Sequence, residues 1–543
     1  MPSRANTAGQ VTSPRQGSAL SGLMRNVLSN WGAYFVAMAI NFFLSPYVVT
    51  HLGNVSYGVW TLILSLTGYL GLLDLGVRGA VTRYIAKFHT QSNHEKANEV
   101  ASSAIIIFGT AGLIAILVSL VFAAFVIGRM HVPVQLLPAA KIVLALTGVS
   151  IAISLVNGVF GGILVGLQRF DLTNAIEVGI NALRALTIVL ALHFGSGIVG
   201  LAYIQLSFTL CRWLANILLA RHLYPALRIR LSAASISGLK LIFSFSVFSF
   251  LMHVSASLIN ASDNVVIGAY LPVTAVTFYV IGGNLVEYAR VLVSGITQTL
   301  TPLASSIDAR NDPSQLRELV LFASQSAAMV ILPITCTFLL RGGSFIGLWM
   351  GSQYAGPSGQ ILKVLSLTMI VWAGNSATGG ILLGLSKHKP IVPALFTEGI
   401  CNLALSIFLV KRMGIVGVAW GTVIPSVADN LIFWPWYVRR ALGVRPLTYV
   451  NSALIRPWTS LIPFLLATYG IERFWPAWNL AIFFFQVMLA LPFACVGYWF
   501  VCLNSGQRWA LRRKIAQYLG RPLEDASGRW IQTVSAKAPS GEN

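Results

Sequence analysis

Apolar residues run along this chain in long blocks, separated by short polar or basic stretches. A helix rises about 1.5 Å per residue, so about 20 apolar residues cross the roughly 30 Å of bilayer hydrocarbon. On that measure the pattern predicts 14 spanning helices. Six lie at 28–50, 57–85, 100–127, 138–166, 172–194 and 197–220, and six more at 239–269, 274–306, 317–340, 358–385, 391–411 and 414–438. Two further spans, 450–470 and 477–503, precede a basic tail.

The blocks repeat. GGILVGL (161–167) returns as GGILLGL (379–385), GIVGLAY (197–203) as GIVGVAW (414–420), and Glu177 with Asn181 as Glu398 with Asn402. The offset corresponds to six spans, and an even number of crossings leaves both copies in one orientation. The expected fold is therefore an all-α integral membrane protein. About 14 transmembrane helices form two parallel, pseudo-symmetric six-helix bundles plus two C-terminal helices. The corresponding segments are a disordered cytosolic tail (1–22), an N-terminal bundle (23–222), a basic cytosolic linker (223–238), a C-terminal bundle (239–440), the last two helices (450–503) and a basic cytosolic tail (504–543).

Polar positions inside the spans follow the repeat. Asn30, Tyr34, Asn41 and Ser45 of the first helix fall over Ser249, His253, Asn260 and Asn264 of the seventh. Each set recurs at three, four or seven residues and forms a stripe on one helix face. Matched stripes point to a shared hydrated cavity between the bundles, with interhelical hydrogen bonding as the plainer alternative.

Composition agrees: 56% of the 543 residues are hydrophobic and 10% charged, with mean hydropathy +0.74. The net charge of +21 resides in short runs between apolar blocks, which argues against a nucleic-acid partner. Those runs, RHLYPALRIR (221–230), KHK (387–389), 439–456 and RRK (512–514), place both termini in the cytosol. The five cysteines form no CxxC pair, so buried hydrophobes are expected rather than disulfides or metal ligands. There is no GxxxxGK[ST], HExxH or GxSxG. A nucleotide motor, a metallohydrolase and a serine hydrolase lose support, and no cofactor is expected.

The stretch 25–86 carries an Arg-Asn opening, Pro-Tyr-Val, a following Leu-Gly, Tyr-Gly-x-Trp, then Leu-Leu-Asp-Leu-Gly before Arg-Tyr-Ile-Ala. It resembles the polysaccharide-exporting flippases, a branch of the superfamily that also holds the multidrug and toxic compound exporters and the lipid II flippases. The resemblance implies movement of an undecaprenyl-diphosphate-linked oligosaccharide from the cytosolic to the periplasmic leaflet of a bacterial inner membrane, by alternating access of two lobes, for surface or exopolysaccharide synthesis. It also implies membrane lipids, a polysaccharide polymerase and chain-length machinery as partners.

Charged groups within spans cost about 2.5 to 3.5 kcal/mol each at a helix centre, so each calls for a reason. On the eighth helix Asn284, Glu287, Ser294 and Gln298 share one face, with Arg290 at its side. Lining a cavity accounts for that stripe, with Arg290 as phosphate contact; a self-neutralising Glu287–Arg290 pair is the alternative. Asp74 and Arg78, four apart on the second helix, read as a deep pair, and Arg83 on the opposite face as a rim residue, either a gate or a cation reaching the headgroups. Asp263 is a cavity charge or an interfacial cap. His253 is a proton-sensitive group or a neutral packing residue. Glu177 and Arg184 share a face, and the match of Glu177 to Glu398 favours a structural role. Arg212, Lys363 and Asp429 are single charges to which the pattern assigns no role. Two other functions compete. A membrane polymerase or ligase is disfavoured by short outer loops, the longest at 341–357, and a cation-coupled multidrug exporter by the arginines that accompany the acids.

Overall fold

The computed structural model describes residues 16–518 and two paired two-residue strands at 523–524 and 530–531. Ten helical stretches among them are long and apolar enough to cross a membrane. Two of these, 31–90 and 391–442, each contain two crossings, joined at Gly53 (φ 74°) and Gly414 (φ 60°). Only glycine takes such angles without a Cβ clash. With 236–270 and 446–474 the spans among the described residues number 14, and the chain is a multi-pass membrane protein whose described spans are all helical.

In chain order the spans are α1 (16–52), α2 (54–90), α3 (His94–Val121), α4 (Leu137–Gly166), α5 (Phe170–His193) and α6 (Ile198–Leu223). There follow α7 (236–270), α8 (Thr274–Asp308), α9 (Pro313–Met350), α10 (Pro357–Gly384), α11 (391–413), α12 (415–442), α13 (446–474) and α14 (Leu480–Gly497). A basic helix, α15 (Ser505–Tyr518), comes after them. Leu113, Leu117 and Leu120 on α3, and Leu183, Leu186 and Leu190 on α5, are exposed at helical spacing and form lipid-facing stripes.

Three expectations need correction. The second helix is not continuous over 57–85. It runs to Gly68, tightens into a 3₁₀ segment (Tyr69–Asp74), turns through left-handed Leu75 (φ 51°) and Gly76 (φ 76°), and restarts at Val77. The expected loop at 341–357 is largely helix: α9 runs to Met350 and a short turn of helix (Ser352–Ala355) leads to α10. Basic residue Arg341 is buried there rather than in solvent. Finally, residues 16–22 of the expected tail already belong to α1, and 505–518 of the other tail form α15; residues 1–15 lie outside those described.

The repeat is visible in packing. Gly166 of α4 meets α2, where an added Cβ would stand 2.9 Å from the carbonyl of Thr82; Gly384 of α10 meets α8, where it would collide with the carbonyl of Thr301. These are matched positions of the two bundles, crossing their partner helices at backbone distance. α13 and α14 pack beside the second bundle, against α9.

The lobes are joined unequally. At the end carrying residues 51–57 and 270–274, one core runs through both, including Val49, Tyr57, Leu62, Ile267, Val273 and Val276. Thr277 donates to the Asn54 carbonyl (2.7 Å), Tyr354 to the Asn54 side chain (2.5 Å), and Asn264 to Ser65 (3.0 Å). Toward the opposite end, which holds the basic connections, a separate core of Val77, Val81, Ile85, Phe108, Ile163 and Leu164 belongs mostly to the first lobe and is joined from the second by Ile242 of α7. The linker lies along α3 there: the Arg228 amide donates to Asn98 (2.8 Å), and Ser235 and Ser237 donate to Glu99.

Candidate functional site: two matched cavities

A cavity of about 650 Å³ lies inside the first lobe between α2, α4, α5 and α6, reaching toward the basic end. The break in α2 shapes it. The Asp74 carboxylate, last residue before the turn, accepts from the Arg78 amide (3.4 Å) and lies 3.5 Å from its guanidinium. It thus offsets the unsatisfied donors and positive dipole end of the restarted helix. The pair anticipated from sequence is present, and the cause is capping at a helix break rather than a shared face.

Arg78 extends across Gly158 of α4, where an added Cβ would stand 3.3 Å from its Nε. Arg83 lines the same cavity, together with Asn157, Glu177, Arg212 and Asn216. Glu177 pairs with Arg212 (3.3 Å) and accepts from Asn181 (3.1 Å), while Arg184 donates to Gln205 (2.9 Å). The cation that meets Glu177 is therefore Arg212 of the neighbouring helix, not Arg184 of its own. Asn216 donates to Asn157 (3.0 Å), leaving its own Oδ1, and the Nε of Arg212, buried without hydrogen-bond partners among the described residues. Three guanidinium groups against two carboxylates leave this region cationic.

The second lobe holds the counterpart, about 470 Å³ between α7, α8, α10, α11 and α12, bounded toward the basic end by His388 and Ile391. Here α12 widens into a π-turn, Asp429–Phe433, a distortion that re-aims side chains and recurs at functional sites. Asp429 and Asn430 line the cavity with Glu398, Trp372, Trp434, Ser376 and Asn375. Asn375 donates to Asn430 (2.8 Å), whereas its repeat counterpart Asn157 accepts from Asn216 (3.0 Å), and Asn375 accepts from Tyr449 of α13 (2.6 Å).

Arg290 stands between this cavity and a second of about 340 Å³ lined by Asn260, Asp263, Asn264, Tyr279, Asn284, Glu287 and Thr368. It donates to Thr368 (3.0 Å), lies over the Trp372 ring (5.5 Å) and meets Glu287 at 3.9 Å, with its Nε buried and unpartnered among the described residues. Asp263 is buried, accepting from Tyr279 (2.5 Å), Thr422 (2.7 Å) and Ser406 (3.5 Å). Of its two expected roles, an interfacial cap gives way to a hub between α7, α8, α11 and α12.

Structure thus brings together Arg78 and Arg83 in one lobe, with Asp74 behind, and Asn260, Asp263, Asn284, Glu287 and Arg290 in the other. Asn41 and His253 are exposed side chains that line none of these cavities. The side chains of Gln298, Asn30 and Ser249 lie outside those described. Asn157, Asn375 and Trp372 carry no mark in the hydropathy pattern, and Arg212 and Asp429 stand there as charges without a role. Extending the GGIL repeat back four residues finds Asn157 and Asn375.

Known proteins resemble this chain in sequence or in fold. A putative O-antigen transporter of Shigella flexneri is 23% identical over 429 residues, 77% of this chain and 98% of that protein. The uncharacterized membrane protein EpsK of Bacillus subtilis is 21% identical over 507 residues, 90% of this chain and 97% of its own. Among solved structures, the lipid II flippase MurJ in an inward closed conformation aligns with TM-score 0.65 at 15% identity, over 92% of this chain and 100% of that one. A multidrug resistance MATE transporter in an inward-facing conformation gives 0.63 at 18%, over 75% and 94%. At those identities the likeness is one of fold. The profile of the polysaccharide biosynthesis protein family matches residues 23–308, more than half of the chain, and the chain belongs to that family.

Proposed function

We propose that this protein is a flippase, carrying an undecaprenyl-diphosphate-linked oligosaccharide from the cytosolic to the periplasmic leaflet of a bacterial inner membrane by alternating access of its two lobes. The observation that carries the reading is the cationic cavity of Arg78, Arg83 and Arg212 inside an apolar lobe. Guanidinium groups hold phosphate oxygens bidentately, and an anion crossing lipid needs such a hydrated, cationic path. Cationic drugs would be repelled by the same groups, which disfavours an exporter of that class. The nearly loop-free turn between α9 and α10 offers no extramembrane platform for a polymerase or ligase.

The basic connections favour the cytosol at the end toward which both cavities reach, with both termini on that side. The joined core at the other end fits a state receptive to cytosolic substrate. Switching would part the contacts of Asn54 with Thr277 and Tyr354 and close the basic end. A polysaccharide polymerase and its chain-length machinery are the expected consumers of the product.

The test is accumulation. Cells lacking the protein should hold lipid-linked repeat units in the inner leaflet, and R212Q or R78Q should fail to clear them while inserting normally. Each charged hydrogen bond lost is worth roughly ten- to a hundredfold in affinity. Repeat units that reach the outer leaflet unchanged in depleted cells refute the proposal.

A further inference from the structure

The two cavities share a scaffold and differ in chemistry. At matched positions of the repeat, Arg78 corresponds to Thr297, Gly158 to Ser376, Ser154 to Trp372 and Arg212 to Asp429, while Asn157 keeps Asn375 and Glu177 keeps Glu398. Where Arg78 reaches over Gly158, Thr297 lies 3.3 Å from Ser376. Where Glu177 has Arg212 as its cation, Glu398 faces another acid and has no ion pair among the described residues, though only 9% exposed. Among the described residues no aromatic ring lines the first cavity, whereas Trp372 and Trp434 line the second.

A site with one guanidinium, Arg290, in place of three, and with indoles, hydroxyls and two carboxylates, is poorly suited to a diphosphate. It is suited to a sugar, whose C–H faces pack on aromatic rings and whose hydroxyls donate to carboxylate oxygens. Sugar hydroxyls also accept, and the buried Nε–H of Arg290, a residue that lines this cavity, is without a partner among the described residues, as is Nδ1 of His388. A volume of about 470 Å³ is in the range of small-ligand sites. Asn375 and Asn430 are occupied by each other and by Tyr449, so they shape the wall rather than read the ligand.

We infer that the second-lobe cavity is the glycan-reading subsite: Glu398 and Asp429 accept from sugar hydroxyls, Trp372 supplies the platform, and the first lobe holds the diphosphate. This rests on the flippase reading above and deepens it. Selectivity among glycans then resides in Trp372, Glu398 and Asp429, while the arginine cavity serves any lipid diphosphate.

The experiment measures binding of two ligands to the full chain in nanodiscs. One is undecaprenyl diphosphate; the other is the same carrier bearing the oligosaccharide that accumulates in cells lacking the protein. E398Q and W372A should weaken the glycan-bearing ligand roughly tenfold and leave the bare carrier unchanged. W372F should restore part of the loss, and R212Q should weaken both ligands. Thermal unfolding of each variant shows that it is folded, and E398Q, nearly isosteric, carries the test if W372A is not. Equal losses for both ligands in E398Q, as a cation-binding acid would produce, overturn the inference; so does a wild type that binds the two alike. A wild type that binds neither overturns the flippase reading itself.

Discussion

Arg341 anchors the last two helices, and its removal has a calculable cost. Its side chain is 1% exposed on α9, donates from Nε to Glu472 of α13 (2.6 Å) and from Nη2 to Gln486 of α14 (2.5 Å), and lies 4.4 Å from the Phe483 ring centre. R341M keeps most of the volume and removes the charge. It leaves Glu472, 24% exposed, without its cation and the fully buried Gln486 without a donor to its carbonyl oxygen. Breaking a buried pair from one side costs about 3 to 5 kcal/mol, and the partial exposure of Glu472, together with its remaining bond from Ser344, places this case near the lower end. The stranded carboxylate should dominate. Adding E472Q to R341M should therefore recover about 1 to 2 kcal/mol, although E472Q alone is destabilising. Unfolding free energies of the four proteins, measured in one detergent, close the cycle. A loss below about 1 kcal/mol for R341M, or a double variant less stable than R341M alone, would show that the cost does not lie in the stranded acid.

Three further outcomes concern the cavities. G158L should push Arg78 from its place against α4 and reduce transport as R78Q does, while the matched substitution S376A should leave the arginine cavity intact; complementation of depleted cells compares them. Cysteines at 54 and 354, introduced after replacing the exposed Cys211, Cys401 and Cys495 and bridged by a short bifunctional thiol reagent, should hold the joined end shut and stop transport, with recovery on reduction. Transport that continues while bridged would exclude movement of the lobes at that end. D74A should weaken the cap on the restarted α2 by about 0.5 to 2 kcal/mol and lower transport less than R78Q, because Arg78 remains in place.

Hydropathy alone places 14 spans because lipid tolerates no unsatisfied backbone, and each crossing must therefore be a long apolar helix. It does not locate the irregularities that make the cavities. The turn at Leu75 and Gly76 is local backbone geometry inside an apolar block, and Asp74 looks there like a charge on a continuous helix. The π-turn at Asp429–Phe433 adds one residue to a turn without interrupting hydropathy, which is why Asp429 stands in the sequence as a charge without a role. Helical α9 through Arg341 reads as a loop because its buried cation finds partners 131 and 145 residues away, beyond the reach of any local pattern. The repeat is the signal that reaches further. Equating Glu177 with Glu398 suggests a structural role held in common, because only what is kept is being compared. The same offset applied to their surroundings sets Arg212 against Asp429 and Arg78 against Thr297. In a duplicated scaffold, positions kept alike report how the two lobes fold, and positions of opposite chemistry in matched cavities report how they divide a ligand that is anionic at one end and polyhydroxylated at the other.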